Sequence, residues 1–332
     1  MKQTFFQQVE LPQQKKLDDG ILFPVVLSPN PNNAKADLCS FTEAIRCQKS
    51  WLEDLLQKSG AILFRGFPVE SPFDFNDVVE ATGFPPMEYI GGGALRTQVF
   101  SRVYTANEAP PDQHIAFHHE MAYAAEFPSK LLLFCEVEPE EGGETPIVLS
   151  HMVYEKMKQN HPAFVARLEE YGLMYTRIMA RDDDPMSPAG RGWHSTFSTH
   201  DKTIAEQRAA TVGMKLEWVN DSSDSVKILI GPKPAFRDDN SRLGKTWFNS
   251  IVVAHGGPEQ RVVQPEPVTF GDLNPLPSHV VYDCIKILEE ESAAIPWKKG
   301  DVLLIDNLAV LHSRRPIVNS SAHTRRVLAS IC

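Results

Sequence analysis

What this sequence lacks excludes several classes of protein. Its five cysteines, Cys39, Cys47, Cys135, Cys284 and Cys332, are odd in number, widely scattered and never spaced Cys-x-x-Cys. That excludes a disulfide framework and a thiolate zinc site, and leaves ordinary reduced thiols. No apolar run approaches the roughly 18 residues of a membrane span. The segment Met1–Glu10 has neither an apolar h-region nor Arg/Ser-rich transit character, so the expected location is cytoplasmic. Positive charge is scarce: 33 Lys plus Arg stand against 43 Asp plus Glu, a net charge of −10. A polyanionic partner, whether nucleic acid or an acidic membrane face, is disfavoured, which leaves small molecules. There is no internal repeat, no low-complexity tract and no His-Glu-x-x-His.

What is present reads as one domain of 332 residues. A helix is expected from Ser40, with Ser40 and Glu43 as a capping box, and a buried strand over Ala61–Phe67. Ser71-Pro72 opens a second helix that runs to Gly83. Further strands are expected at Gln98–Tyr104, Ile115–Tyr123, Lys130–Val137, Pro146–Leu149, Thr246–Val253, Gly300–Asp306 and Arg325–Ile331, and a helix at Ser278–Glu291. The turn 221–224 links two more strands, and Arg181–Arg191 is a polar, proline-broken loop of the kind that serves as a lid. Many short strands with helices gathered early and in insertions favour an α+β, mainly β protein built on a double-sheet β-roll. The expected division is an N-terminal extension and helix over 1–59, a core over about 98–332, and an insertion over about 150–245.

The chemistry centres on Phe117-His-His-Glu-Met-Ala-Tyr123. On a strand, His118 and Glu120 leave the same face about 7 Å apart at the backbone, and together they make a pincer for a divalent metal. A His-x-Glu pair is common by chance in a chain with 11 histidines and 43 acidic residues, so it counts only alongside other features. His312, in a nearly all-apolar passage after Leu308-Ala-Val-Leu311, is either a satisfied core residue or the third ligand. With it, the set becomes the two-histidine, one-carboxylate triad associated with non-haem Fe(II). His119 points to the opposite face. His114, His194, His255 and His323 have no partner at ligand spacing and read as structural. Thr145 and Arg326 together suit the distal carboxylate of a dicarboxylic 2-oxo acid. Arg325 competes with Arg326, and strand parity alone does not separate the two neighbours.

These motifs carry a resemblance. Phe117–Tyr123 resembles the metal-binding strand of clavaminate synthase, and Gly142-Gly-Glu-Thr145 is similar to the Gly-Gly-Asp-Thr turn of taurine dioxygenase. Gly300–Asn307, His312 and Arg325-Arg326 resemble the distal histidine and arginine region of that family. From Gly60 onward the chain most resembles the plant clavaminate synthase-like proteins of the taurine dioxygenase (TauD/TfdA) family, Fe(II)- and 2-oxoglutarate-dependent oxygenases with a double-stranded β-helix, or jelly-roll, core. The resemblance implies iron held by His118, Glu120 and His312. It implies 2-oxoglutarate held by Thr145 and Arg326, O2 as the other co-substrate, and a small-molecule substrate that is hydroxylated or desaturated. The relatives carry a further arginine four residues on that grips their substrate's acidic group. Here that place is Ser330, which counts against taurine and the clavam precursor. Candidate substrate contacts are Asn249, His114 and Arg96. Two rivals remain: a zinc hydrolase, because the donor set also suits Zn(II), and a β-roll that binds a ligand without catalysis.

Overall fold

The strand Lys130–Val137 divides its apolar residues between two cores. Leu132 and Phe134 enter one, while Leu131, Leu133 and Cys135 enter the other. That is the period-two alternation of a strand buried on both faces. The computed structural model describes residues 5–32, 37–89, 92–219, 224–239, 244–256, 267–318 and 325–332. In it this strand lies inside an eight-stranded sheet. The order is Phe6–Val9, Val25–Pro29, Ala61–Phe64, Val302–Asp306, Lys130–Val137, Arg326–Ile331, Val103–Thr105 and Gln98–Phe100. All pairings are antiparallel except Val25–Pro29 with Ala61–Phe64.

One face of this sheet is covered by the helices Leu38–Cys47, Lys49–Ser59 and Pro72–Thr82, whose Phe41, Ile45, Leu52, Leu56, Phe75 and Val78 share a core with Leu132, Phe134, Leu304 and Leu328. The other face meets a three-stranded sheet, ordered Ile147–Leu149, Val310–Arg314, Ile115–His118. Between the sheets Leu131, Leu133, Leu303, Ile305, Val327 and Ala329 meet Ile147, Leu149 and Val310. A third core belongs to a four-stranded sheet, Met214–Trp218, Val226–Lys233, Leu173–Met179 and Val268–Phe270, packed with helices that include Ser150–Asn160 and Ser278–Glu291. This layer takes in elements from Ser150 to Glu291. Among the described residues no helix is long and apolar enough to cross a membrane.

Local signals account for most elements. Ser71 accepts from Asp74 N–H while the Asp74 carboxylate takes the Ser71 N–H, a capping box, and Gly83 ends the helix at φ 67°. Three expectations need correction. The first helix is capped by Asp37, which accepts from Ser40 N–H, rather than by Ser40. Gln98–Tyr104 is not one strand: it folds back at Ser101, φ 44°, into a hairpin. Thr246–Val253 is a strand only to Thr246. Asn249 Oδ1 then accepts from Ile251 N–H at 3.0 Å and turns the chain into the helix Ile251–His255, because a short apolar run specifies burial and not its secondary structure. Residues 221–223 of the expected turn, and His323, lie outside the described residues.

Candidate metal and co-substrate site

Register brings the first two side chains together. Ile115–His118 pairs antiparallel with Val310–Arg314 so that His118 stands directly opposite His312. Residues so paired share a face, and the imidazole centroids lie 4.3 Å apart. Glu120 arrives by another route, because the strand ends at His118. A turn through Met121, φ 58°, aims the carboxylate, and Asn307 clamps the backbone behind it. Asn307 Oδ1 accepts from Glu120 N–H at 2.8 Å, and its Nδ2 donates to the carbonyls of Glu120 at 3.0 Å and Pro128 at 2.7 Å. A turn and a buried amide thus replace the expected strand alternation, with the same convergence.

The ligand atoms of His118, Glu120 and His312 lie within 4.8 Å of one another. His118 Nδ1 donates to the Ala116 carbonyl at 2.8 Å, which leaves Nε2 with its lone pair. Burial, with His118, His119 and Arg96 nearby, pushes His312 well below the ordinary histidine range, so it is neutral at pH 7. His312 Nδ1 is buried without a hydrogen-bond partner, and its Nε2 faces Glu120 Oε2 at 3.9 Å. Two imidazoles and one carboxylate, converging in a cavity of about 150 Å³, fit a divalent cation with positions left open. His119 does not join them. Its ring packs on Phe248 and lies 2.5 Å from the Asn307 carbonyl and 3.1 Å from that of Trp247. Burial drives it down to about 3 against the pull of these two carbonyls, and the neutral ring, with a single N–H, donates to only one of them.

Thr145 and Arg325 line the same cavity. Arg325 Nε donates to the Gly143 carbonyl at 2.7 Å and its Nη2 to Thr145 Oγ1 at 3.4 Å. Burial, with Arg314 close by, lowers Arg325 to about 10, and it stays cationic at neutrality. Trp297 Nε1 also donates to Thr145 Oγ1, at 3.2 Å. Two donors on this oxygen leave the hydroxyl proton free for an anion. Gly143 is needed for the approach: a Cβ there would lie 2.9 Å from Arg325 Cδ, and its φ is +66°.

Arg326 is the wrong neighbour. Val327 and Ala329 face the inter-sheet core and Leu328 the helical layer, so Arg325 and Arg326 diverge. Arg326 is exposed, paired with Glu136 at 2.5 Å, and absent from the cavity wall. Counting four residues on from Arg325 reaches Ala329, so no cation stands at the relatives' substrate position on either count.

Of the three candidate substrate contacts, only Arg96 lines the cavity. Asn249 is buried elsewhere, its Nδ2 donating to the Ala235 carbonyl at 3.0 Å, and serves the turn already described. His114 is exposed before the strand and outside the lining, and the half-buried His194 and His255 do not line the cavity either. The 181–191 loop does reach the site: Pro188 and Ala189 line the cavity, held by Asn107 Nδ2 on the Pro188 carbonyl at 3.1 Å and by Arg177 on that of Ala189. Asn307 and Trp297 carry no motif that marks their partners, and sequence reasoning missed both.

With this geometry in hand, comparison with known proteins gives a consistent result. Residues 27–331 match the model of the "Taurine catabolism dioxygenase TauD, TfdA family". A clavaminate synthase-like protein of Arabidopsis thaliana is 56% identical over 336 residues, covering 100% of each chain. The dapdiamide synthesis protein DdaC of Enterobacter agglomerans is 26% identical over 283 residues, 82% of each chain. Among solved structures, PvcB of Pseudomonas aeruginosa superposes with a TM-score of 0.53 at 13% identity, covering 100% of this chain and 92% of that one. PvcB is described as an Fe, α-ketoglutarate-dependent oxygenase from an isonitrile synthetic pathway. At that identity the likeness concerns the fold.

Proposed function

The chain belongs to the TauD/TfdA family, and on that premise we propose that it is an Fe(II)- and 2-oxoglutarate-dependent oxygenase that hydroxylates or desaturates a small molecule. We read the facing eight- and three-stranded sheets as the jelly roll of that family, within a single oxygenase domain. The observation that carries the proposal is that the three ligand atoms within 4.8 Å of one another open on the same cavity as Thr145 and Arg325. A zinc hydrolase gives no reason for that second pair. Bound iron and 2-oxoglutarate supply an oxidant made from O2 as the co-substrate loses CO2 and becomes succinate.

The chain's own residues do the positioning. His118 Nδ1 is tied to Ala116, so the ring presents Nε2 in one orientation. Thr145 and Arg325 take the distal carboxylate, and so fix which end of 2-oxoglutarate reaches the metal. Pro188, Ala189, Leu131 and Leu133 wall the cavity with apolar surface, which keeps water from the reacting centre. The relatives that make or modify small natural products support the choice of a small-molecule substrate.

The test is anaerobic addition of 2-oxoglutarate to the Fe(II)-loaded protein. A metal-to-ligand absorption band, followed in air by succinate release, is the expected result. Neither signal appearing with fully loaded iron would overturn the proposal.

A further inference from the structure

Arg96 stands where the proposed chemistry does not use it. Its side chain is 8% exposed, and its Nη2 lies 2.9 Å from Oε2 of Glu120, the carboxylate assigned to the metal. Its guanidinium lies over the Tyr89 ring at 4.7 Å, and its Nε is buried with no hydrogen-bond partner. An arginine remains charged in any protein environment, and a buried charge needs an opposite one. In this structure Glu120 answers it. A divalent metal drawing on the same carboxylate would weaken that answer.

We propose that the substrate carries a singly charged anionic group, a carboxylate or an equivalent oxyanion, and that Arg96 is the residue that receives it. The inference rests on the oxygenase reading above. A dication would draw on Glu120, and 2-oxoglutarate would be met by that dication and Arg325, so neither brings Arg96 a counter-charge of its own. Arg96 is then a buried cation in excess. The other arginines nearby already have acceptors. Arg177 and Arg191 donate to backbone carbonyls, and Arg314, also on the wall, donates to the carbonyls of Ala109, Pro110 and Gln113. A substrate that brings one negative charge answers Arg96 and gives the unpartnered Nε an acceptor. Nε and Nη2 form the two-pronged edge of the guanidinium that matches a carboxylate. Such a contact orients the substrate from the Glu120 side of the metal, and the apolar remainder of the cavity accepts its carbon skeleton.

The experiment uses the Fe(II)- and 2-oxoglutarate-loaded protein without oxygen and minimal probes: acetate, propionate and methanesulfonate, against acetamide and propionamide. The readouts are the absorption band and the thermal unfolding temperature. In the wild type the anions are expected to perturb both at concentrations at least roughly tenfold below the amides, the usual advantage of a charge-assisted contact. Arg96→Gln is expected to erase that difference, and Arg96→Lys to keep part of it. Equal response to anions and amides in the wild type overturns the inference without needing any variant to fold. Anions that act equally on Arg96→Gln overturn it too, since they would then be ligating the iron. If the anions alter neither readout, the anion place does not exist. A wild type that gives no band with 2-oxoglutarate fails at the earlier step, and the oxygenase reading and this inference fall together.

Discussion

At the scale of single residues, two neighbours that sequence parity could not separate have opposite environments. Arg325 is partly buried against Gly143 and Thr145, whereas Arg326 is an exposed partner of Glu136. Removing a buried charge-assisted fork costs roughly 1.5–3 kcal/mol, about ten- to hundredfold in affinity. Arg325→Ala is therefore expected to raise the KM for 2-oxoglutarate by that factor, and Arg326→Ala to leave it within about twofold, since an exposed ion pair contributes little. Steady-state succinate assays on both variants check this, and a larger effect at Arg326 would reverse the assignment. Asn307 makes a different kind of contribution. It matches the buried N–H and C=O of Glu120 and the carbonyl of Pro128, and each such group left unpaired costs about 1–3 kcal/mol. Asn307→Ala is expected to lower the unfolding temperature by several degrees and, because the Glu120 backbone is freed, to weaken metal binding at least tenfold. Calorimetry and metal titration read the two effects separately.

At the scale of elements, the site is assembled by strand register, and its legibility in the sequence follows from that. His118 and Glu120 could be found because they are two residues apart, and His312 because a polar ring in an apolar passage is conspicuous. Arg325 could not be told from Arg326 because alternation says only that neighbours face opposite ways, not which face carries the site; the inter-sheet side taken by Val327 and Ala329 is the one that Arg325 shares. Asn249 looked like a candidate on a strand facing the site. The run 246–253 instead folds into a turn and a helix, which buries the amide elsewhere. Asn307 was invisible because its partner Glu120 is 187 residues away and the contact is made to backbone. The Gly142-Gly143 turn is the element most open to test. A methyl on Gly143 meets Arg325 Cδ at 2.9 Å, on a backbone at φ +66°. Gly143→Ala is expected to displace Arg325, raising the KM for 2-oxoglutarate several-fold and costing about 1 kcal/mol of stability from the left-handed backbone. If the stability loss appeared with an unchanged KM, Arg325 would not be the anchor.

At the scale of the whole molecule, the buried histidines tie stability to pH. His119 titrates at about 3 in the folded chain and near 6.5 when unfolded, and His312 is also lowered by burial. With a depressed folded value, the unfolded chain binds the proton first as pH falls. The neutral ring's contribution is therefore complete above about pH 6.5 and is lost progressively below it, at no more than about 1.4 kcal/mol per pH unit for each group. The metal-free protein is expected to lose unfolding temperature steadily from pH 6.5 to 4.5. Saturating Fe(II) should raise the whole curve by the linkage free energy, about 2.7 kcal/mol at a hundred times Kd. Thermal unfolding at several pH values, with and without metal, separates the two contributions. His119→Gln should make the metal-free curve shallower while the increment from metal is kept, since His119 faces Asn307 and Trp247 rather than the ligands. A metal-free curve that stays flat down to pH 4.5 in the wild type would mean that neither ring is held neutral by burial.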